Sequence, residues 1–195
     1  MPETTKFWRN RLPHWEVASG TYFITLRCAG SLPKVVLQQI AEIQESLAAV
    51  ESNSEAFTHW QRQYFMTLEK YLDQGVGFCP FTEEVCCREV LDAMKGLESF
   101  GWELKNYVIM PNHVHALFET TPESADMQSL WGPWKGRTAR SCNRLLKRQG
   151  PFWHKDWFDR WMRDAANTER TIRYIRENPV KAGLVKDWQD YPWVA

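Results

Sequence analysis

The fold is decided by the stretch Trp102-Glu-Leu-Lys-Asn-Tyr-Val-Ile-Met-Pro-Asn-His-Val-His-Ala-Leu-Phe-Glu119. Residues 102–110 and 113–119 are rich in β-branched and aromatic side chains, and Pro111 and Asn112 between them form a turn signal. Two strands joined by so short a turn predict an antiparallel β-hairpin. The hairpin places a histidine at the start of its second strand.

That second strand carries two histidines separated by one residue, His113 and His115. Successive side chains of a strand point to opposite faces, so both imidazoles lie on one side, roughly 6 to 7 Å apart. At this spacing two ring nitrogens can hold one divalent cation, while Val114 points to the opposite face. A His-x-His pair alone is also typical of structural or surface histidines, so the metal interpretation depends on other residues.

Supporting residues lie in the last predicted helix, which Thr168 caps and which Pro179 ends after Asn178. Tyr174 and Asn178 are four residues apart and share one face of this helix. The amide oxygen of Asn178 would complete a site of two histidines and one oxygen, a ligand set that suits Mg²⁺ or Mn²⁺ acting on a phosphate. The phenol of Tyr174 would be a covalent nucleophile, although a helical tyrosine is more often part of a core.

The chain as a whole predicts one domain over residues 1–195 that contains both strands and helices. A first strand covers residues 21–27, and amphipathic helices follow at residues 36–50 and 55–72. A third helix begins after Thr82 as its N-cap, and a basic helix spans about residues 129–148. Residues 152–164 are aromatic and charged without a clean period.

The charges are unevenly distributed, although the net charge of the 195 residues is zero. Residues 131–195 hold fourteen Lys or Arg against seven Asp or Glu, whereas residues 37–130 hold five against fifteen. Such asymmetry indicates a nucleic-acid surface or, as the alternative, solvated helix faces. Eleven Trp and ten Phe supply core mass and also stacking platforms for unpaired bases.

The cysteines and the N-terminus bear on the compartment. Five cysteines, an odd number without a CxxC unit, indicate neither a disulfide framework nor a zinc knuckle. No apolar signal region follows the first residues, and no apolar run is long enough to cross a membrane. We therefore expect a cytoplasmic protein without a membrane partner.

Four stretches together resemble the tyrosine transposases of the HUH single-strand nuclease superfamily that are associated with repetitive extragenic palindromes (REP). The stretches are residues 17–26 (VASGTYFITL), 107–119 (YVIMPNHVHALFE), 158–164 (FDRWMRD) and 174–185 (YIRENPVKAGLV). The resemblance implies an α+β fold with a ferredoxin-like antiparallel sheet and helices on one face. It also implies His113, His115 and Asn178 as metal ligands and Tyr174 as the nucleophile.

The implied activity is cleavage of single-stranded DNA near an imperfect hairpin, with a 5′-phosphotyrosyl link to Tyr174 and a free 3′-hydroxyl that allows rejoining. In the family a short sequence at the hairpin foot is read partly by an N-terminal segment, which corresponds here to Gly20 and Thr21. Gly20 is equally well explained as a turn before a strand. The alternative functions are a catalytically silent DNA-binding module and a phosphohydrolase that uses water in place of Tyr174.

Further DNA contacts are predicted from basic residues in the last third of the chain. The basic helix offers side chains for phosphates or base edges: Lys135, Arg137, Arg140, Asn143, Arg144 and Lys147. Arg163 and Lys181 are predicted to hold the leaving or entering strand, unless they pair with neighbouring carboxylates.

An acidic helical insertion at about residues 37–80 makes the chain longer than the minimal version of this fold. It is predicted to pack away from DNA because like charge repels phosphate. Its aromatic residues could equally form an interface, which leaves both a monomer and a homodimer open.

Overall fold

This computed structural model describes residues 3–52 and 54–195, in which strands and helices are mixed along the chain. The strands are β1 (Thr4–Arg9), β2 (Pro13–Val17), β3 (Thr21–Arg27), β4 (Trp102–Met110), β5 (His113–Thr120) and β6 (Phe158–Met162). The helices are α1 (Lys34–Ala49), α2 (Glu55–Leu72), α3 (Glu84–Lys95), α4 (Met127–Leu145) and α5 (Ala165–Lys181). Among the described residues, none of the helices is both long and apolar enough to cross a bilayer.

The core of the fold is an antiparallel sheet with the strand order β4-β5-β3-β6. β4 and β5 are the predicted hairpin and pair from Met110 with His113 at the turn to Trp102 with Thr120 at the far end. The connection from β3 to β4 contains α1, α2 and α3, of which α3 directly precedes β4, and α4 connects β5 to β6. A β-α-β-β-α-β chain with this strand order is a ferredoxin-like fold, so the predicted fold class is confirmed.

Helices cover both faces of the sheet. Ile24 of β3 and Val114 of β5 belong to the apolar cluster that α3 and α4 complete on one face. Phe23 and Leu117, which pair with each other across β3 and β5, belong to a second cluster completed by α1, α2 and α5. The expectation of helices on one face therefore describes α3 and α4 only. β3 is apolar on both sides and requires a second layer.

Three strands lie outside the sequence-based predictions, namely β1, β2 and β6. β1 and β2 form a separate two-stranded sheet. β6 pairs with β3 from Thr25 with Phe158 to Thr21 with Met162. It shows no two-residue period because Asp159, although charged, is buried, while the aromatic Trp161 is only half-buried.

Two helix starts differ from the predicted ones. The Thr82 hydroxyl donates to the Cys79 carbonyl within a 3-10 turn, and α3 begins two residues later, so Thr82 is not its N-cap. α4 begins at Met127 because Asp126 accepts from the backbone N–H groups of Gln128 and Ser129.

The last helix is longer than predicted at both ends. Asp164, not Thr168, is the N-cap of α5 and accepts from the N–H of Asn167. The helix also continues past Pro179 to Lys181. Proline is tolerated there because it lies in the last turn of the helix. The N–H groups of Ala182 and Leu184, beyond the helix, bond to the carbonyls of Asn178 and Pro179.

A buried polar cluster attaches the β1–β2 hairpin to β6. His14 is fully buried and bonds through Nδ1 to Asp159 and through Nε2, at 3.2 Å, to Asp156. The imidazole lies between the rings of Trp8 and Trp157, with centroid distances of 5.0 and 4.5 Å. Burial alone lowers the pKa of His14, but its bonds to the two carboxylates outweigh burial and raise the pKa to about 9.

Candidate active site

β5 places His113 and His115 on one face of the sheet, as their spacing predicts. Both side chains are fully buried, and their ring centroids are 4.7 Å apart. Val114 between them packs into the apolar cluster on the opposite face. Burial lowers the pKa of each histidine to about 3, so both imidazoles are neutral and each offers one lone pair.

The orientation of His113 follows from its neighbour Asn112. The amide nitrogen of Asn112 donates to the Val76 carbonyl at 3.2 Å, which identifies its other atom as the oxygen. That oxygen lies 2.8 Å from Nδ1 of His113 and can only accept, so Nδ1 carries the proton. Nε2 is therefore a bare lone pair, and it is buried without a hydrogen-bond partner. A histidine held in this way is oriented as metal-binding histidines are.

His115 is held by β3 and by α2. Its Nδ1 lies 2.9 Å from the Thr25 hydroxyl, and its ring stacks on Phe23 with a centroid distance of 5.2 Å. Its Nε2 lies 3.0 Å from a carboxylate oxygen of Glu69. Glu69 is a residue of α2 that the sequence analysis did not single out.

Tyr174 of α5 lies beside these groups and is half-buried. Its hydroxyl donates to Glu69 and lies 3.4 Å from Nε2 of His115. The rings of Phe23 and Phe65 meet the Tyr174 ring edge-on. Lys181 lies over the same ring, with Nζ 5.0 Å from the centroid, so a cation faces the phenol.

Asn178 is fully buried one turn after Tyr174. Among the residues that the structure describes, neither its amide oxygen nor its amide nitrogen has a hydrogen-bond partner. The side chain lies close enough to Glu69 to favour the ionised form of that carboxyl. The structure thus brings His113, His115, Tyr174 and Asn178 together, while their roles stay predictions.

The donor set fits a divalent cation. Ligand atoms of Glu69, His113 and His115 all lie within 4.8 Å of one another, and all three residues are buried. An imidazole nitrogen, a carboxylate oxygen of Glu69 and both amide atoms of Asn178 are buried without partners. Buried polar atoms are rarely left unsatisfied, and imidazole nitrogen together with carboxylate and amide oxygen can bind a divalent cation.

Glu69 could have been found from the sequence by one signal. It lies between Leu68 and Leu72 on the apolar side of α2, where a charged residue is unusual. Burial raises the pKa of its carboxyl to about 7. The acidic helical segment is predicted to pack away from DNA, and tertiary packing nevertheless turns Glu69 of α2 toward the histidines.

A cleft of about 510 Å³ opens beside Tyr174. β1, β2, α2, β6 and α5 all contribute to its walls. Its aromatic side chains include Phe7, Trp15, Phe65 and Trp161, and its arginines are Arg62, Arg160, Arg163 and Arg170. Within residues 3–52 and 54–195 none of these arginines forms a salt bridge.

The predicted basic helix lies elsewhere. α4 packs on the face of the sheet opposite to the histidines, so its side chains are not part of the candidate active site. Lys135 is half-buried, donates to the Lys155 carbonyl, and has a pKa that burial lowers to about 8. Asn143 bonds to Gly150 and Arg148 and closes the following loop. Four members stay exposed: Arg137, Arg140, Arg144 and Lys147.

Of the remaining residues predicted to contact DNA, some are explained by packing within the protein and others are exposed to solvent. Gly20 exchanges hydrogen bonds with Thr120, and a Cβ on it would lie 2.9 Å from the Trp161 ring nitrogen, so close packing explains this glycine. Thr21 begins β3 next to it. Arg163 is exposed in the cleft, and Lys181 is exposed and paired with Glu177 at 3.4 Å.

Comparison with known proteins relates residues 82–178 to the family described as transposase IS200 like. A REP-associated tyrosine transposase of Escherichia coli is 27% identical over 92 residues, which are 47% of this chain and 53% of that protein. A Haemophilus influenzae protein, provisionally described in the same terms, is 26% identical over 106 residues, 49% of this chain and 60% of that protein. The matches span little more than half the length of these relatives.

A solved structure of a REP-associated tyrosine transposase bound to a REP hairpin shares the fold. It has a TM-score of 0.54 and 18% identity, and the alignment covers 97% of this chain and 81% of that one. The family match contains His113, His115, Tyr174 and Asn178, whereas Glu69 precedes it.

Proposed function

We propose that this chain, whose residues 82–178 match the IS200-like transposase family, is a metal-dependent transposase that nicks and rejoins single-stranded DNA through a phosphotyrosine. The observation that carries the proposal is the contact of Tyr174 with a buried group of two neutral histidines and a carboxylate. A nucleophile beside a phosphate-activating centre is the arrangement that covalent phosphoryl transfer requires.

The reaction follows from the position of the tyrosine hydroxyl. Its oxygen attacks the phosphorus of a phosphodiester, and the bond from phosphorus to the 3′ oxygen breaks. The phenolic proton passes to Glu69, which already accepts a hydrogen bond from this hydroxyl. The 3′ oxygen leaves with a proton from water, and the DNA on the other side of the nick stays on Tyr174 through its 5′ phosphate. Attack by a 3′-hydroxyl reverses these steps and rejoins a strand.

We propose that His113, His115 and Asn178 hold Mg²⁺ or Mn²⁺ at this site. When bound, the cation would supply positive charge to the scissile phosphate and orient it toward Tyr174. The histidines contribute neutral lone pairs, and Asn112 fixes the ring of His113 for that purpose.

The test is the formation of a covalent adduct. The protein is incubated with hairpin oligonucleotides that carry single-stranded flanks and a label at either the 5′ or the 3′ end, with Mn²⁺ or with EDTA. We expect a denaturant-resistant adduct that carries only the DNA 3′ of the nick and that EDTA prevents. Tight hairpin binding without any adduct, across several palindromes, would favour the silent binding module.

We propose that the single strand next to the cleaved phosphate lies in the cleft beside Tyr174. The aromatic walls offer stacking surfaces for bases, and the exposed arginines offer charge to phosphates. The structural neighbour is described as bound to a REP hairpin, and we propose a hairpin with single-stranded flanks as the partner of this chain. Stacking and phosphate contacts are sequence-tolerant, so sequence reading would come from other contacts.

Replacement of Arg163 by alanine tests the cleft. Binding of a short oligonucleotide without a hairpin should weaken, and the slope of log affinity against log salt should fall by about 0.7, since one phosphate contact is lost. Arg144→Ala is the matched control, because Arg144 is an exposed arginine on the far side of the sheet. Equal weakening in both variants, measured by fluorescence anisotropy across a salt series, would argue against binding in the cleft.

A further inference from the structure

We propose that Glu69 of α2 is a direct ligand of the divalent cation, together with His113, His115 and Asn178. This inference rests on the proposed function, because it concerns the metal of the same site. It makes α2, from the segment expected to pack away from DNA, a part of the catalytic centre. Glu69 lies outside residues 82–178, so the match to the transposase family does not assign this ligand.

The geometry of the carboxylate supports ligation. Among the described residues one oxygen of Glu69 is buried without a hydrogen-bond partner, and the other lies 3.0 Å from Nε2 of His115. One ligand atom from each of Glu69, His113 and His115 can be chosen so that all three lie within 4.8 Å of one another. Ligands at roughly 2.1 Å from an ion, at right angles to each other, are about 3 Å apart, and the Glu69–His115 pair has this spacing.

The surroundings of His115 are compatible with the tautomer that a metal ligand needs. The Thr25 hydroxyl lies 2.9 Å from Nδ1 of His115 and can accept a proton from it, which leaves the lone pair of Nε2 free for a cation. With a cation between Nε2 and the Glu69 carboxylate, both acceptors are satisfied; without a cation, Nε2–H can donate to the carboxylate at the same distance of 3.0 Å.

The chemistry of the ligand set is changed by this carboxylate. Two neutral histidines and one amide would bring no charge to the cation, whereas Glu69 adds one negative charge and a hard oxygen donor. Mg²⁺ and Mn²⁺ prefer such donors, and sites for them normally include a carboxylate. The ligand would therefore contribute affinity that the histidines and Asn178 alone do not supply.

The test measures Mn²⁺ binding by the full-length protein without DNA, from the electron paramagnetic resonance signal of free Mn²⁺ during a titration. Glu69→Gln keeps the size and polarity of the side chain and removes its charge. We expect the dissociation constant to rise at least about tenfold, since even indirect partners of metal ligands cost that much when removed. Glu69→Asp keeps the carboxylate on a shorter stem and should lose less. Thermal unfolding in EDTA checks that both variants fold.

Two variants separate ligation from other effects. Asp73→Asn removes a neighbouring acidic group of the same helix end that is outside the ligand group, and Tyr174→Phe removes the hydroxyl that donates to Glu69. Both should keep nearly wild-type Mn²⁺ affinity. A loss of Mn²⁺ affinity in Asp73→Asn equal to that in Glu69→Gln would mean that any nearby negative charge attracts the cation. An equal loss in Tyr174→Phe would mean that Glu69 acts through the tyrosine. Either result overturns the inference.

The outcome for Glu69 is distinguishable from the outcome for the proposed function. Wild-type affinity in Glu69→Gln, with binding lost in His113→Ala, would leave the metal-dependent transposase intact and remove Glu69 from the ligands. Loss of Mn²⁺ in Glu69→Gln, with no adduct from the wild type on any hairpin, would keep the ligand and overturn the function. If the wild-type protein binds no Mn²⁺, the inference fails together with the proposed metal.

Discussion

Tyr174→Phe should abolish the covalent protein–DNA adduct and lower the rate of strand cleavage at least about 10⁴-fold, because the variant has no oxygen with which to attack phosphorus. The change is otherwise small. The phenylalanine ring keeps its edge-on contacts with Phe23 and Phe65, and Glu69 keeps His115 as a partner. Denaturing gel electrophoresis of labelled oligonucleotides measures both the adduct and the cleaved strand.

Tyr64→Phe is the matched control for this prediction. Tyr64 is buried in the same apolar cluster, where its ring stacks on Phe158, and its loss of a hydroxyl should leave adduct formation in place. Cleavage that persists in Tyr174→Phe at the wild-type rate would identify water as the nucleophile and the protein as a phosphohydrolase. Adduct formation in that variant would place the nucleophile on another residue.

The parts of the site that the sequence predicts are those set by short-range periodicity. His113 and His115 share a face because a strand alternates at every residue, and the turn at Pro111 and Asn112 fixes where that strand begins. The spacing of four residues brings Asn178 below Tyr174 on one helix in the same way. Which side chains share a face of one strand or one helix does not depend on what packs against that strand or helix.

The residues that the sequence did not predict depend on which elements meet in space. Glu69 reaches His115 across 46 residues of chain, and nothing local to α2 determines which face of the sheet α2 covers. The cleft needs walls from hairpin, sheet and helices together. The position of α4 depends on tertiary structure in the same way: its basic residues predict DNA contacts, and the helix packs on the face of the sheet opposite to the histidines.

Buried charge explains the errors in secondary structure. In a sequence, charged or polar residues such as Asp159 and His14 are typical of exposed loops. Both are nevertheless buried, because their side chains form a hydrogen bond with each other. A strand such as β6 therefore loses the alternation that marks a half-buried strand, and the β1–β2 hairpin is fixed by a partner some 145 residues away. Polar pairs of this kind can be recognised only when the positions of both residues in the fold are known.

Replacement of His14 by glutamine should lower the free energy of unfolding by about 3 to 5 kcal/mol near pH 6, because it leaves two buried carboxylates without their cation. The pH dependence identifies the cause. The folded pKa of about 9 lies above the ordinary 6.5, so protonated His14 contributes its full stability below pH 6.5. That contribution, about 3 kcal/mol, is lost as the pH rises from 6.5 through 9.

Urea unfolding at half-unit steps from pH 6 to 9.5 measures the free energy of unfolding of the wild type and of His14→Gln. The relevant quantity is the difference between these two free energies. The difference is needed because Lys135, with a pKa lowered by burial to about 8, and Glu69, with a pKa raised by burial to about 7, titrate in or near the same range in both proteins. It should be largest at pH 6 and shrink toward pH 9. A difference that stays constant with pH would mean that His14 stabilises the hairpin as a neutral ring packed between Trp8 and Trp157.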